Sequence, residues 1–255
     1  MKSKRVRTNS RKRLPGLTAA EGLLRHPFDA EHGARTSGLV AGRHLKSGHR
    51  NDRHSTAYFG VAPSVFRQLM ARWRRLRPGL RTEEFAFVDV GAGMGRAILL
   101  AAELPFRSVT GVELHATLAR IARRNAALWR AAGKARAQMK VVCGDAAEFR
   151  FPAGRCVAFL FNPFGPAVMR RLVKNVAAQF TDRLDELDLV YVNHEQEGVL
   201  EAERGMARMF RGRVQRSGAD ARADKAILHN QPEGEYAYEH YEECSIWRWV
   251  GRRRS

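Results

Sequence analysis

The residues best suited to chemistry form one stretch, Val88-Asp89-Val90-Gly91-Ala92-Gly93-Met94-Gly95-Arg96, in which three alternate glycines follow an apolar run. Glycine enters left-handed backbone conformations at no steric cost, so such a stretch turns sharply and brings its backbone close to a ligand. Where it opens a helix, its free N–H groups also favour a polar or anionic group. Two phosphate-binding patterns do not fit. A dinucleotide fingerprint, G-x-G-x-x-G, needs glycine at position 96, which is Arg96, and no Gly-Lys-Ser/Thr follows as a P-loop requires. Metal ligation has no pattern behind it either. Cys143, Cys156 and Cys244 make no CxxC or Cys/His spacing, and His26, His32, His44, His49 and His54 are irregularly spaced. The cysteines read as small buried hydrophobes, and these histidines as surface residues of a polar segment.

A glycine loop is useful only if rigid elements hold both its ends. Residues 85–90 are apolar and β-rich, and 96–104 read as a buried helix stopped by Pro105. The rhythm continues with strands at 108–113, 139–143, 157–161 and 187–192. Helices are expected at 116–132, 168–180 and 196–210. Ahead of the loop, Val65, Phe66, Leu69, Met70, Trp73 and Leu76 recur at helical spacing, with Ser64 as N-cap. Residues 212–235 read as loop, and 243–250 as a last strand that can join antiparallel. Alternating strands and helices imply a parallel sheet covered on both faces. In such sheets ligands bind beyond the carboxyl ends of the strands.

The pattern D-x-G-x-G-x-G over 89–95 resembles motif I of class I S-adenosylmethionine-dependent methyltransferases. Glu113 at the end of the second strand, Gly144-Asp145-Ala146 after the third, Asn162-Pro163-Phe164 after the fourth and Asn193-His194 after the fifth follow the same order. Segments such as FVDVGAGMGRAILLAAELPF, GVEL and FNPFG, with a lead-in of Phe28-Asp29, Thr36-Ser37-Gly38 and Tyr58, resemble a group of bacterial methyltransferases with no assigned acceptor. The resemblance spans roughly 28 to 250. It implies an α/β fold with a doubly wound, mostly parallel seven-stranded sheet and S-adenosyl-L-methionine as cofactor. Asp89, Gly91, Gly93, Gly95, Glu113 and Asp145 would bind that cofactor, Glu113 at the ribose and Asp145 at the adenine. Asn162 would be the catalytic residue, holding an acceptor nitrogen, although its motif has one proline where amine methylases have two; the alternative is that it caps the next turn. His194 is a candidate general base and Tyr58 a candidate cover over the cofactor.

The 255 residues carry 45 Lys and Arg against 26 Asp and Glu, a formal net charge of +19. Seven basic residues and no acid lie in 1–13, and Arg252, Arg253 and Arg254 precede the final Ser255, so the body carries +9. Acid-free basic runs bind phosphates by counterion release, so nucleic acid is a candidate partner. A nucleic-acid-binding protein on a methyltransferase scaffold is the second reading, and an enzyme docked by its tails a third. At 44% hydrophobic residues the chain is no disordered polycation. No stretch has the ~20 apolar residues a membrane span needs, and no secretory h-region follows the basic start, so a cytoplasmic location is expected. The expected divisions are a disordered tail at 1–13, a lead-in at 14–80, the cofactor-binding domain at 81–250 and a tail at 251–255.

Overall fold

Strands that are apolar at every position must be covered on both faces, and those flanking the glycine loop are of this kind. The computed structural model describes residues 24–230 and 238–252. Its elements run α1 (Pro27–His32), α2 (Pro63–Arg75), β1 (Ala86–Val90), α3 (Arg96–Ala102), β2 (Ser108–Glu113), α4 (Ala116–Ala131) and β3 (Met139–Cys143). Then come β4 (Cys156–Phe161), α5 (Pro166–Gln179), β5 (Leu187–Val192), α6 (Glu197–Glu201), β6 (Met206–Gln215), α7 (Gly218–His229) and β7 (Tyr241–Trp249). The strands form one sheet in the order β3-β2-β1-β4-β5-β7-β6. All pairings are parallel except those of β7, which runs antiparallel to β5 and β6.

Alternate residues feed two cores. Phe87, Val109, Val157, Phe159 and Val190 point to the layer of α2, α3 and α4, where Phe66, Trp73, Ile98 and Trp129 are buried. Val88, Val90, Ala158, Leu160, Leu189 and Tyr191 point to α5, with Met169, Leu172, Phe180 and Trp249. At the amino end of β5, Asp188 is fully buried. It accepts from Arg77 Nε (2.6 Å) and Nη2 (2.9 Å), Trp73 Nε1 (2.8 Å) and Arg248 Nε (2.9 Å), tying α2 and β7 to the sheet.

Two expectations fail in the last third. The helix expected over 196–210 ends at Glu201, and Met206–Gln215 is a strand. A register shift between Arg208 and Phe210 breaks the alternation. It leaves Met206, Met209, Phe210 and Val214 at offsets of three, four and eight, which imitate a helix. The loop expected at 212–235 contains α7, whose buried positions are Asp220, Asp224 and Ile227. An acidic face gives no hydrophobic stripe to read. Ser64 is not the cap of α2 either: Ala62 is, with Pro63 at the first helical position.

The lead-in is stitched to the glycine loop's own helix. Asp29 accepts from the backbone and hydroxyl groups of both Thr36 and Ser37, at 2.6–2.7 Å. Arg96, 3% exposed, donates to Thr36 Oγ1 (2.7 Å), Thr36 O (3.2 Å) and Gly60 O (3.1 Å). The residue that departs from the dinucleotide pattern is thus the one that holds the lead-in down. His26, expected at the surface, is buried there with Asp220 Oδ1 at 3.5 Å. Cys156 and Cys244 are buried as expected, whereas Cys143 is exposed. Residues 1–13 lie outside the described part, as do Arg253 and Arg254. Arg252, counted above with the tail, is held by both carboxylate oxygens of Glu203 (2.8 and 2.7 Å).

Candidate active site

The carboxyl ends of β1, β2 and β4 open onto a cleft of 860 Å³, counting its open mouth. Gly91, Gly93 and Gly95 have φ of 80°, 53° and 92°, which disfavour any side chain. A Cβ on Gly93 would collide with the Tyr58 ring and one on Gly91 with Pro163. Gly91 and Gly93 line the cleft, while Gly95 faces Ala122 and Ile98 instead, where a Cβ would be crowded at 3.1 Å. Its place is in the packing of α3 on α4.

Three carboxylates reach the cleft in different states. Glu113 braces the loop: its two oxygens accept from Gly93 N and His115 N, each at 2.7 Å. Burial pushes its carboxyl up, opposed by those backbone donors. Asp145 is the N-cap of a short 3₁₀ turn, accepting from Ala147 N (2.9 Å), and also from Asn51 Nδ2 (2.7 Å) and Arg171 Nη2 (3.2 Å). Asp89 is different. It is 4% exposed, and its carboxylate takes no hydrogen bond from the described residues. Burial, then the neighbouring charge of Glu113, pushes its carboxyl up to about 8.

Asn162 does not line this cleft. It lies at the end of β4 with φ of 36°, lining a second cavity of 1390 Å³ counting its mouth. The two spaces share Thr56, Ala57, Phe59 and Phe161 as walls. The Asn162 side chain is nearly buried. Its Oδ1 takes only a long bond from Tyr191 OH (3.4 Å), and its Nδ2 has no partner among the described residues. The backbone carbonyl of Asn162 accepts from Thr56 Oγ1, and that of Pro163 from Thr56 N (3.4 Å). Asn162 and the cofactor candidates therefore line two adjoining spaces that meet along these residues.

His194 lines neither space. Its Nδ1 lies 3.6 Å from Glu197 Oε1, and burial pushes its imidazole down. Tyr58, the candidate cover over the cofactor, packs on the loop at Gly93 and lines the cleft, its OH donating to Thr36 O (2.7 Å). Its contact with Gly93 shows why the loop needs glycine there. Sequence reading missed Asn51 and Thr56 in the lead-in, and Arg171 on α5. No motif marks them, because they reach the site from elements distant along the chain. It also missed the acids of the second cavity, Glu195, Glu239, Glu242 and Glu243. Among the described residues no cluster of His, Cys, Asp or Glu could hold a metal ion, and no helix is long and apolar enough to cross a membrane.

No family model matches the sequence, and no curated protein does. Among solved structures, the 4+2 cyclase SpnF is similar at a TM-score of 0.50 and 16% identity, over 73% of this chain and 81% of its own. The 23S rRNA methyltransferase ErmE is similar at a TM-score of 0.47 and 14% identity, over 74% of this chain and 68% of its own. An S-adenosylmethionine-dependent O-methyltransferase from Thermotoga maritima gives 0.46 and 13%, over 74% and 67%. The likeness to SpnF establishes architecture. Together with the sheet order, it shows that the chain has the class I, Rossmann-like methyltransferase fold. One structure of this fold being a cyclase, the reaction has to be argued from the site.

Proposed function

We propose that the protein is an S-adenosylmethionine-dependent methyltransferase whose acceptor atom is nitrogen. Asp89 carries the reading. A buried carboxyl without a partner, at a strand's carboxyl end beside a glycine loop, suits a ligand that arrives with positive charge. The cofactor's ammonium and sulfonium groups supply that charge, and when bound it supplies a methyl group activated by the cationic sulfur.

The protein's own residues then bind, align and exclude water. Asp89 balances the cationic end. Gly91 and Gly93 let the backbone approach, and Glu113 offers its remaining lone pairs to hydroxyl groups while it holds the loop. Asp145 and Asn51 bound the far end of the cleft, and Tyr58 and Pro163 cover the loop. Asn162, at the junction of the two spaces, offers Oδ1 to an N–H of the acceptor, which favours nitrogen.

Calorimetry with S-adenosylmethionine and S-adenosylhomocysteine tests the reading. Both are expected to bind, and Glu113→Ala to weaken each about 100-fold, since it removes charge-assisted bonds that also fix the loop. A folded protein that binds neither ligand overturns the proposal.

A further inference from the structure

The second cavity has a charge opposite to that of the protein as a whole. The chain is +19, yet four carboxylates, Glu195, Glu239, Glu242 and Glu243, line this space against one guanidinium, Arg216. Two of the acids are neutralised: Glu242 is paired with Arg216, and Glu243 accepts from Arg213 Nε (2.8 Å). Glu195 and Glu239 have no side-chain partner among the described residues, and both are exposed. Phe59, Phe161, Tyr238 and Tyr241 supply aromatic walls. Carboxylates with aromatic faces attract a desolvating cation and repel a phosphate.

A second observation places chemistry in this space. Asn162, 8% exposed, lines it with an amide nitrogen that has no partner and an oxygen with spare acceptor capacity. Its amide nitrogen is thus free to meet whatever occupies the cavity. The cofactor cleft adjoins this space along Thr56, Ala57, Phe59 and Phe161.

We infer that this cavity binds the methyl acceptor, and that the acceptor is an organic cation bearing an aliphatic ammonium group; the inference rests on the methyl-transfer reading above. The ammonium loses one proton to water at the cavity mouth, beside Glu195 and Glu239. The freed nitrogen lone pair forms the N–C bond as the S–C bond breaks, and that electron pair stays on sulfur, giving a neutral thioether. The product is a methylated ammonium ion. The same chemistry could come from a free polyamine or from a lysine side chain. A nucleic acid would meet the wrong sign of charge at this mouth, so the basic tails, if they touch phosphates, do so elsewhere.

The test uses the full-length chain saturated with S-adenosylhomocysteine, titrated calorimetrically with spermidine and with a short lysine-rich peptide. Labelled S-adenosylmethionine is used in parallel turnover with the same compounds and with an RNA oligonucleotide. At least one ammonium probe is expected to bind and to take up label. Binding to spermidine alone assigns a free polyamine, and binding to the peptide alone a protein lysine. The exposed pair Glu195→Gln/Glu239→Gln is expected to weaken ammonium binding about tenfold, leaving S-adenosylhomocysteine affinity unchanged. Failure of both ammonium probes while S-adenosylhomocysteine binds overturns the inference alone, as does equal affinity in the variant or label entering only RNA. Ammonium binding without S-adenosylhomocysteine binding overturns the methyl-transfer reading, and with it the cation's role as acceptor.

Discussion

Asp89→Asn gives the sharpest access to the cleft, because Asp89 couples ligand charge to a proton. In the ligand-free protein its carboxyl titrates at about 8, so it is largely protonated at neutral pH. A cation seated beside it favours the ionised form, and binding therefore expels a proton. The affinity must rise with pH wherever the free protein holds that proton and the complex does not. Between pH 6 and pH 8 the protonated excess falls from about 100:1 to about 1:1, so affinity should improve about fiftyfold, or ~2.3 kcal/mol. The stability of the free protein runs the other way. A raised carboxyl binds more protons folded than unfolded, so it loses stability as pH climbs from about 4 towards 8. Calorimetry in two buffers of different ionisation enthalpy counts the proton directly. Asp89→Asn should abolish the released proton and flatten the affinity profile, and should weaken binding at pH 8. The cofactor's own amino group titrates identically against both proteins, so their difference isolates Asp89. Equal slopes for the two proteins would refute the reasoning.

Gly93→Ala forces a side chain into a backbone with φ of 53° and into the Tyr58 ring, so S-adenosylmethionine binding should fall at least tenfold. Thermal unfolding, expected to change far less than for a core variant, separates a displaced lead-in from a lost fold. Asp188→Ala leaves Arg77 and Arg248 without their shared carboxylate beneath β5, and should cost about 3–5 kcal/mol by urea denaturation. The site is at the other end of the sheet, so cofactor affinity at low temperature should be retained; its loss in a folded protein would sink the separation of roles drawn here.

The parts of the fold legible in the sequence are those whose burial repeats. Strands β2, β3 and β5 fall at the residues expected, because apolar runs bounded by turns have one reading at that length. Strand β6 was hidden by its bulge, and α7 by a buried face of Asp220 and Asp224 that answers to His26 and Arg216 rather than to a hydrophobic core. In the site, Asp89, Gly91, Gly93, Glu113 and Asp145 all reach one cleft. Their order along strand ends made them visible. Gly95 and His194 shared that order but face other packing, since position after a strand does not fix which way a residue points. The acids of the second cavity come from the end of β5 and the start of β7, so only the antiparallel return of the chain assembles them. Composition gave the opposite impression, because net charge averages over surfaces that act separately.

Thr56, Ala57 and Phe59 belong to one short length of lead-in, yet they face both the cleft and the cavity beside Asn162. A partition shared by two ligands makes each a part of the other's environment. Whatever factor the first ligand contributes to the affinity of the second, the second must return to the first. The Asp29–Thr36–Arg96 stitching anchors the lead-in that carries this partition. With both proposed ligands bound it would act as a thermodynamic coupler, and the stiffness of the lead-in would become a property of the proposed reaction.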